Sequence, residues 1–127
     1  MAKTIFVMDD DLALQMVLEI ALRDSGYDVV LANNGADGLT MLETIKPDLI
    51  ISDIMMPQMD GVETFGRLRE RIQDEGIPIL ILTALNRKPW FSELEDEGAV
   101  IMQKPFEVDE LIGLIRTILD DDDLPTA

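Results

Sequence analysis

The chain alternates short apolar segments with longer segments of helical period. Compact apolar runs predict strands, and apolar residues spaced three and four positions apart predict helices. The predicted strands are residues 4–8, 27–31, 49–53, 77–83 and 100–102. The predicted helices are residues 11–25, 35–46, 61–75, 89–97 and 108–119. Five successive β-α units predict an α/β fold, in which helices cover both faces of a parallel sheet.

Two of the predicted helices carry a clear inward stripe. In the first helix, Asp10 or Asp11 is the expected N-cap, because a short acidic side chain accepts hydrogen bonds from unpaired helical N–H groups. The inward side chains predicted for this helix are Leu14, Val17, Leu18 and Ala21. For the second helix they are Leu39, Leu42 and Ile45. These apolar stripes are expected to pack against the two faces of the sheet.

Polar residues follow four of the predicted strands. They are Asp9, Asp10 and Asp11 after the first strand, Asp53 and Thr83 at the ends of the third and fourth, and Lys104 after the fifth. Each has a structural interpretation by itself, as a helix cap, a turn residue or a strand end. Ligands of open parallel sheets, however, bind beyond the carboxyl ends of the strands. These side chains are therefore expected to meet.

The residue types in this set indicate one kind of chemistry. Three carboxylates at one rim repel each other unless a cation lies among them. Ligand sets made only of oxygen favour Mg²⁺, with Mn²⁺ as an alternative. A neighbouring lysine and hydroxyl suit phosphoryl transfer, in which charge on the phosphoryl oxygens must be neutralised. A carboxylate is then the nucleophile available.

Composition excludes several other classes of function. The 127 residues fit one domain, and 10 basic against 26 acidic residues give a net charge of −16, which argues against binding to nucleic acid or to an anionic membrane. Without Cys or His, the chain has no disulfide, thiol or histidine chemistry. It shows neither a signal peptide nor an apolar span, so a cytoplasmic location is expected. We expect one domain at residues 1–119, followed by an acidic tail at residues 120–127.

Four motifs occur together in a familiar order. They are Asp9-Asp10, the string D-x-x-M-P-x-M-D-G that begins at Asp53, Thr83-Ala84, and Lys104-Pro105-Phe106. With the five β-α units, they make the chain resemble the receiver domain of two-component response regulators, especially the stand-alone type found in chemotaxis. The resemblance covers residues 3–119. It implies a doubly wound, flavodoxin-like fold with a five-stranded parallel sheet in the order 2-1-3-4-5.

The resemblance also implies roles for the acidic residues. Asp53 would be the phosphoacceptor, and a histidine kinase or histidine phosphotransfer protein would be the donor. Asp10 and Asp53 would bind Mg²⁺ directly, and Asp9 would bind it through water. The backbone carbonyl of Met55 would complete the protein ligands. The domain would thus be a signalling module, assisting its own phosphorylation and dephosphorylation, rather than an enzyme.

Further roles concern the response to phosphorylation. Lys104 would pair with a phosphoryl oxygen, Thr83 would donate a hydrogen bond to another, and Pro105 would follow a cis peptide bond. Receivers commonly carry Tyr or Phe at the position of Ile101, and a β-branched side chain is stiffer and shorter than an aromatic ring. We therefore expect the fifth strand to move little on activation. The change is expected at residues 84–89 and at Trp90.

Three alternatives compete with this interpretation. A flavodoxin needs a hydroxyl- and glycine-rich phosphate loop after the first strand, where this chain has three Asp residues. A phosphatase with an aspartate nucleophile needs a second Asp at position 55, which is Met. A pseudo-receiver that binds partners without phosphorylation is the remaining alternative, although every phosphorylation residue is present. The sequence leaves open the downstream protein, the oligomeric state and whether the domain stands alone.

Overall fold

The computed structural model describes residues 2–9, 11–33, 35–53, 76–83, 91–96 and 98–119. The strands in these ranges are β1 (Thr4–Met8), β2 (Asp28–Ala32), β3 (Leu49–Asp53), β4 (Ile79–Thr83) and β5 (Ala99–Gln103). The helices are α1 (Leu12–Asp24), α2 (Gly35–Met41), α3 (Phe91–Asp96) and α4 (Val108–Ile118). The helix predicted at residues 61–75, the segment 84–90 and the tail at residues 120–127 lie outside the described residues. Helix α3 therefore corresponds to the fourth predicted helix.

The strands form one parallel sheet in the order β2-β1-β3-β4-β5. The predicted fold class is confirmed. Strand β1 pairs with β2 on one side and with β3 on the other, so the chain winds outward from the centre of the sheet in both directions. The boundary between β1 and β3 is the switch point, beyond which ligands bind in doubly wound sheets.

Two apolar clusters cover the two faces of the sheet. Successive residues of a strand point to opposite faces, so Ile5 and Val7 belong to one cluster and Phe6 and Met8 to the other. Helices α1 and α4 close the first cluster through Leu18, Leu22, Leu111, Ile112 and Ile115. Leu39 and Met41 of helix α2, and Leu42 just after the helix, close part of the second. Strands β1, β3 and β4 are buried on both faces, as expected for the interior of a parallel sheet.

Helix α1 corrects part of the predicted inward stripe. Asp11 is its N-cap, and the Asp11 carboxylate accepts a hydrogen bond of 3.1 Å from Leu14 N. Leu18 is buried as predicted, but Val17 is 47% exposed and Leu22 is fully buried instead. A helix turns by about 100° per residue, so with Leu18 and Leu22 against the sheet Val17 is rotated away from it. Leu12, Met16 and Ile20 are also exposed, so α1 carries apolar residues on its outer face as well.

Helix α2 is shorter than predicted and lies close to the sheet. Glu43 N and Thr44 N bond to carbonyls three residues back, which tightens the chain into a turn before Pro47. The predicted inward residues are confirmed, since Leu42 is buried and Leu39 and Ile45 pack against the same cluster. A Cβ atom at Gly38 would lie 2.1 Å from the Sδ atom of Met8. The close approach of α2 to β1 therefore requires glycine at this position.

The bounds of β1 and β3 agree with the prediction, and those of β2, β4 and β5 differ from it by one or two residues. Tyr27 N donates a 3.0 Å hydrogen bond to Leu22 O, so this residue completes the end of α1 and β2 begins one position later. Pro78 precedes β4, and its carbonyl accepts a 3.1 Å bond from Ile50 N. Strand β5 extends one residue further at each end than predicted. None of the described helices is long and apolar enough to cross a membrane.

Candidate functional site

The register of the sheet brings the predicted site residues to one edge. Met8 pairs with Ser52, so Asp9 follows β1 at the level where Asp53 ends β3. Thr83 pairs with Gln103, so Lys104 follows β5 just beyond Thr83. Neighbouring strands are about 4.8 Å apart. The structure thus gathers the ends of β1, β3, β4 and β5 at the carboxyl edge, as the sequence predicts.

Asp9 is a deeply buried carboxylate, with 1% of its surface exposed. Its main-chain N–H donates to Ala32 O at 3.1 Å, which fixes it beside the end of β2. Its Oδ1 accepts a 2.8 Å hydrogen bond from Asp11 N. Its Oδ2 lies 3.6 Å from the ammonium group of Lys104. A buried carboxylate is expensive unless charges and donors surround it, so this position is built to hold a negative charge.

Lys104 reaches the site from the far side of the sheet. Its main-chain N–H donates to Thr83 O at 2.7 Å, and its peptide bond to Pro105 is cis. The ion pair with Asp9 joins the ends of β5 and β1, which the sheet order separates by β3 and β4. The lysine side chain, 22% exposed, therefore spans the region beyond the end of β3.

Asp53 and Thr83 stand at the centre of this edge. Asp53 is the last residue of β3, and its Cα pairs with that of Leu82. Thr83, the last residue of β4, is fully buried. The backbone therefore places position 53 between Asp9 on one neighbouring strand and Thr83 on the other. Position 53 therefore lies beside two of the buried polar residues of this edge.

Asp10 and Met55, two of the predicted metal ligands, lie outside the described residues, so their predicted contacts stay predictions. In the described part of the chain, no three metal-binding side chains cluster. The donor set that includes positions 9 and 53 is nevertheless all oxygen and carries excess negative charge beside a single described lysine. This chemistry fits a hard divalent cation.

Ile101, at the position where receivers commonly carry an aromatic residue, and Pro105, the expected cis proline, lie on either side of Lys104 in the sequence. Ile101 is in the middle of β5, pairs with Ile81, and packs partly buried against the cluster that contains Phe6. Pro105 is exposed. Ile101 is thus part of the apolar layer beneath the site, so its contacts are with the core rather than with the charged edge.

Sequence reasoning missed one buried polar residue at the site. Gln15 of α1 is 4% exposed, and its amide donates to the carbonyl of Asp9. The same nitrogen lies 3.2 Å from Ala32 O and 3.3 Å from the side-chain oxygen of Asn33. Its spacing from the cap, four residues after Asp11, places it on the inner face of α1. That spacing was the sequence signal for a buried position. It was missed because an amide side chain in a helix is ordinarily assigned to the surface.

The comparisons with known proteins agree with this geometry. The sequence profile of the response regulator receiver domain matches residues 5–116. The alkaline phosphatase synthesis transcriptional regulatory protein PhoP of Bacillus subtilis is 39% identical over 122 residues, which cover 94% of this chain and 49% of that protein. The response regulator MprA of Mycobacterium bovis is 38% identical over 120 residues, covering 94% and 51% respectively. The chain spans about half the length of these relatives.

Solved structures show the same fold. A response regulator from Chloroflexus aurantiacus superposes with a TM-score of 0.84 and 32% identity, over 94% of this chain and 99% of that chain. The chemotaxis protein CheY4 of Vibrio cholerae gives 0.83 and 28%, over 93% and 99%. Because the profile covers most of the chain and several relatives exceed 30% identity, this chain belongs to the response regulator receiver domain family of two-component signalling proteins.

Proposed function

We propose that this receiver domain accepts a phosphoryl group on Asp53 from a phosphohistidine of a histidine kinase or phosphotransfer protein. The observation that carries the proposal is the ion pair between Lys104 and Asp9, which spans the end of β3 where Asp53 stands. A lysine held in this way is ready to meet negative charge delivered to position 53. The full burial of Thr83 on the neighbouring strand supports the same assignment.

The chemistry requires few groups from the protein. A carboxylate oxygen of Asp53 attacks phosphorus, the bond between phosphorus and the donor imidazole nitrogen breaks, and that nitrogen keeps the electron pair. Mg²⁺ or Mn²⁺, held by Asp9, Asp10, Asp53 and the carbonyl of Met55, would neutralise charge on the phosphoryl oxygens. The family generally uses a divalent cation of this kind, and the oxygen donors at this edge suit it.

Two residues would then stabilise the product. The Lys104 ammonium pairs with one phosphoryl oxygen, and the Thr83 hydroxyl donates a charge-assisted hydrogen bond to another. We propose that Ile101 moves little in response and that residues 84–89 carry the change. Trp90 follows that segment, so its emission should shift on titration with beryllofluoride and Mg²⁺. The shift should vanish in Thr83→Ala.

The output of the domain is a change in protein contacts. Two relatives are described as a transcriptional regulatory protein and a response regulator, and they are about twice as long as this chain. With a net charge of −16, this domain is unsuited to contacting DNA itself. Any DNA binding would therefore belong to another segment or partner. We place this signalling in the cytoplasm.

Phosphorylation of the purified protein tests the proposal. Incubation with acetyl phosphate and MgCl₂ should raise the intact mass by one phosphoryl group, and hydroxylamine should release it. Asp53→Asn should abolish labelling, whereas Asp48→Asn, a carboxylate at the opposite edge of the sheet, should leave it intact. Labelling of Asp53→Asn at the wild-type rate contradicts the assignment. A wild-type protein that is never labelled would instead be a pseudo-receiver.

A further inference from the structure

We propose that Gln15 is a positioning residue of the phosphorylation site, which holds Asp9 in place from helix α1. The inference rests on the proposed function, because it assigns Gln15 a role in metal binding and phosphoryl transfer. Four polar residues are buried in the described part of the chain: Asp9, Gln15, Ser52 and Thr83. Three of them lie at the carboxyl ends of strands. Gln15 is the one that a helix supplies.

The contacts of Gln15 join three elements at one point. Its amide nitrogen donates to Asp9 O, just after β1, and lies 3.2 Å from Ala32 O at the end of β2. Ala32 O also accepts the 3.1 Å hydrogen bond from Asp9 N. A side-chain amide has two N–H groups, so one residue of α1 satisfies both strand ends. The main chain of Asp9 is thereby held on both its N–H and its carbonyl sides.

The same helix also holds the Asp9 side chain. Asp11, the N-cap of α1, donates its main-chain N–H to Asp9 Oδ1 at 2.8 Å, and its carboxylate accepts from Leu14 N. Gln15 lies one turn further along α1. The first turn of the helix therefore fixes the carboxylate of Asp9, and the second fixes its carbonyl. The second carboxylate oxygen of Asp9, Oδ2, faces the ammonium group of Lys104.

Packing alone does not account for an amide at this position. The next inward residues of α1, Leu18 and Leu22, are fully buried and apolar. Burying an amide is unfavourable unless its hydrogen bonds are made, and the acceptors of Gln15 lie where the acidic site begins. Partners that orient metal-binding groups commonly change metal affinity by 10- to 100-fold when they are removed. Loss of the Gln15 amide should therefore weaken Mg²⁺ binding more than it disturbs the fold.

Gln15→Met tests this, because methionine has nearly the same length and no N–H donor. Leu22→Val is the matched control, a buried change on the same helix face with no contact to Asp9. Calorimetric titration with MgCl₂ should show at least a tenfold weaker affinity for Gln15→Met, by analogy with other orienting partners. Leu22→Val should stay within about twofold of wild type, since it lowers only stability. Equal affinities in the two variants overturn the inference.

A metal-independent measurement separates this inference from the proposed function. In Gln15→Met without Mg²⁺, amide hydrogen exchange at Asp9 and Asp11 should rise at least tenfold relative to Phe6 and Val7. In Leu22→Val all four amides should respond alike. If exchange in Gln15→Met rises equally at all four amides, Gln15 contributes only to stability. The inference is then wrong, even if Asp53 is phosphorylated. Conversely, a local change in a protein that is never labelled contradicts the proposed function and leaves Gln15 as the residue that holds Asp9.

If Gln15→Met does not fold, a titration of the wild-type protein followed by NMR tests the inference instead. The side-chain amide resonances of Gln15 should shift during the MgCl₂ titration with the same midpoint as the amide of Asp9. Resonances of Gln15 that stay fixed while that of Asp9 moves overturn the inference.

Discussion

The sheet ends in polar contacts at both of its edges, and the two sets differ in burial. At the amino edge, Thr4 N donates to the Asp48 carboxylate at 2.7 Å, and Asp48 N donates to Thr4 O at 2.8 Å, both near solvent. At the carboxyl edge, Asp9 and Thr83 are buried. Exposed bonds tie strand ends together at little cost, whereas buried charge is unfavourable until something binds it. Changes at the amino edge should therefore alter stability, and those at the carboxyl edge should alter function as well.

Replacing one lysine at each edge by methionine should give the largest difference in stability between the two edges. Lys104→Met removes the cation that faces the buried Asp9 carboxylate, and we expect it to cost about 3 kcal/mol, at the low end for a buried pair because the lysine is partly exposed. Lys3→Met removes the bond from Lys3 Nζ to Leu119 O, 2.8 Å long, and should cost about 0.5–1 kcal/mol. Urea unfolding without Mg²⁺ measures both. Equal losses would show that burial does not distinguish the edges.

Mg²⁺ should stabilise the protein through the carboxyl edge alone. At about 100 times its dissociation constant, a ligand of the native state adds roughly 2.7 kcal/mol. Thermal unfolding with and without MgCl₂ should show this gain in wild type and in Asp48→Asn, and most of it should be lost in Asp9→Asn. An unchanged midpoint in wild type, or an equal shift in Asp9→Asn, argues against the metal site.

A pair of glycines tests how tightly the carboxyl end of β1 is packed. Gly38→Ala places a methyl group against the buried Met8 side chain, next to Asp9, and should cost about 1–3 kcal/mol. Gly113→Ala in α4 meets nothing within 4 Å, so the better helix propensity of alanine should add about 0.5–1 kcal/mol. Differential scanning calorimetry should move the two midpoints in opposite directions. Movement in the same direction would mean that Met8 yields without strain.

The smallest effect is expected from the exposed contact at the amino edge. Asp48→Ala removes the acceptor of Thr4 N and should cost about 1 kcal/mol, the net value of a hydrogen bond. Its affinity for Mg²⁺ and its rate of labelling by acetyl phosphate should equal those of wild type. A loss of either activity would show that the two edges are coupled through β1.

Much of the fold was predictable because the apolar strands are flanked by residues that end them. The bounds of β3 agree with the prediction, since Leu49 follows a Pro-Asp pair and Asp53 closes the apolar run. The meeting of Asp9 with Lys104 follows from the same logic, because parallel strands bring their carboxyl ends to one edge. The roles of all the site residues, and of the residues after Thr83, stay predictions.

The predictions were wrong or incomplete where the sequence pattern is compatible with more than one packing. Helix α1 has apolar residues all around, so periodicity alone did not show that Leu22 faces the sheet while Val17 faces solvent. Gln15 was missed because its spacing from the cap indicates only the inner face of α1 and does not show that two strand ends lie beside it. In both cases tertiary packing decided the outcome, and local propensity was a weak guide.

The contact between Lys3 and Leu119 determines where the main chain leaves the domain. Because Lys3 precedes β1 and bonds to the carbonyl of Leu119, the chain after α4 begins beside the amino edge of the sheet. A five-residue strand is about 17 Å long, which separates this exit from the ion pair at the other edge. Leu119 therefore lies too far from the ion pair of Lys104 with Asp9 to contact it directly. If Asp53 is phosphorylated as we propose, the end of α4 responds only through the packing of that helix against the sheet.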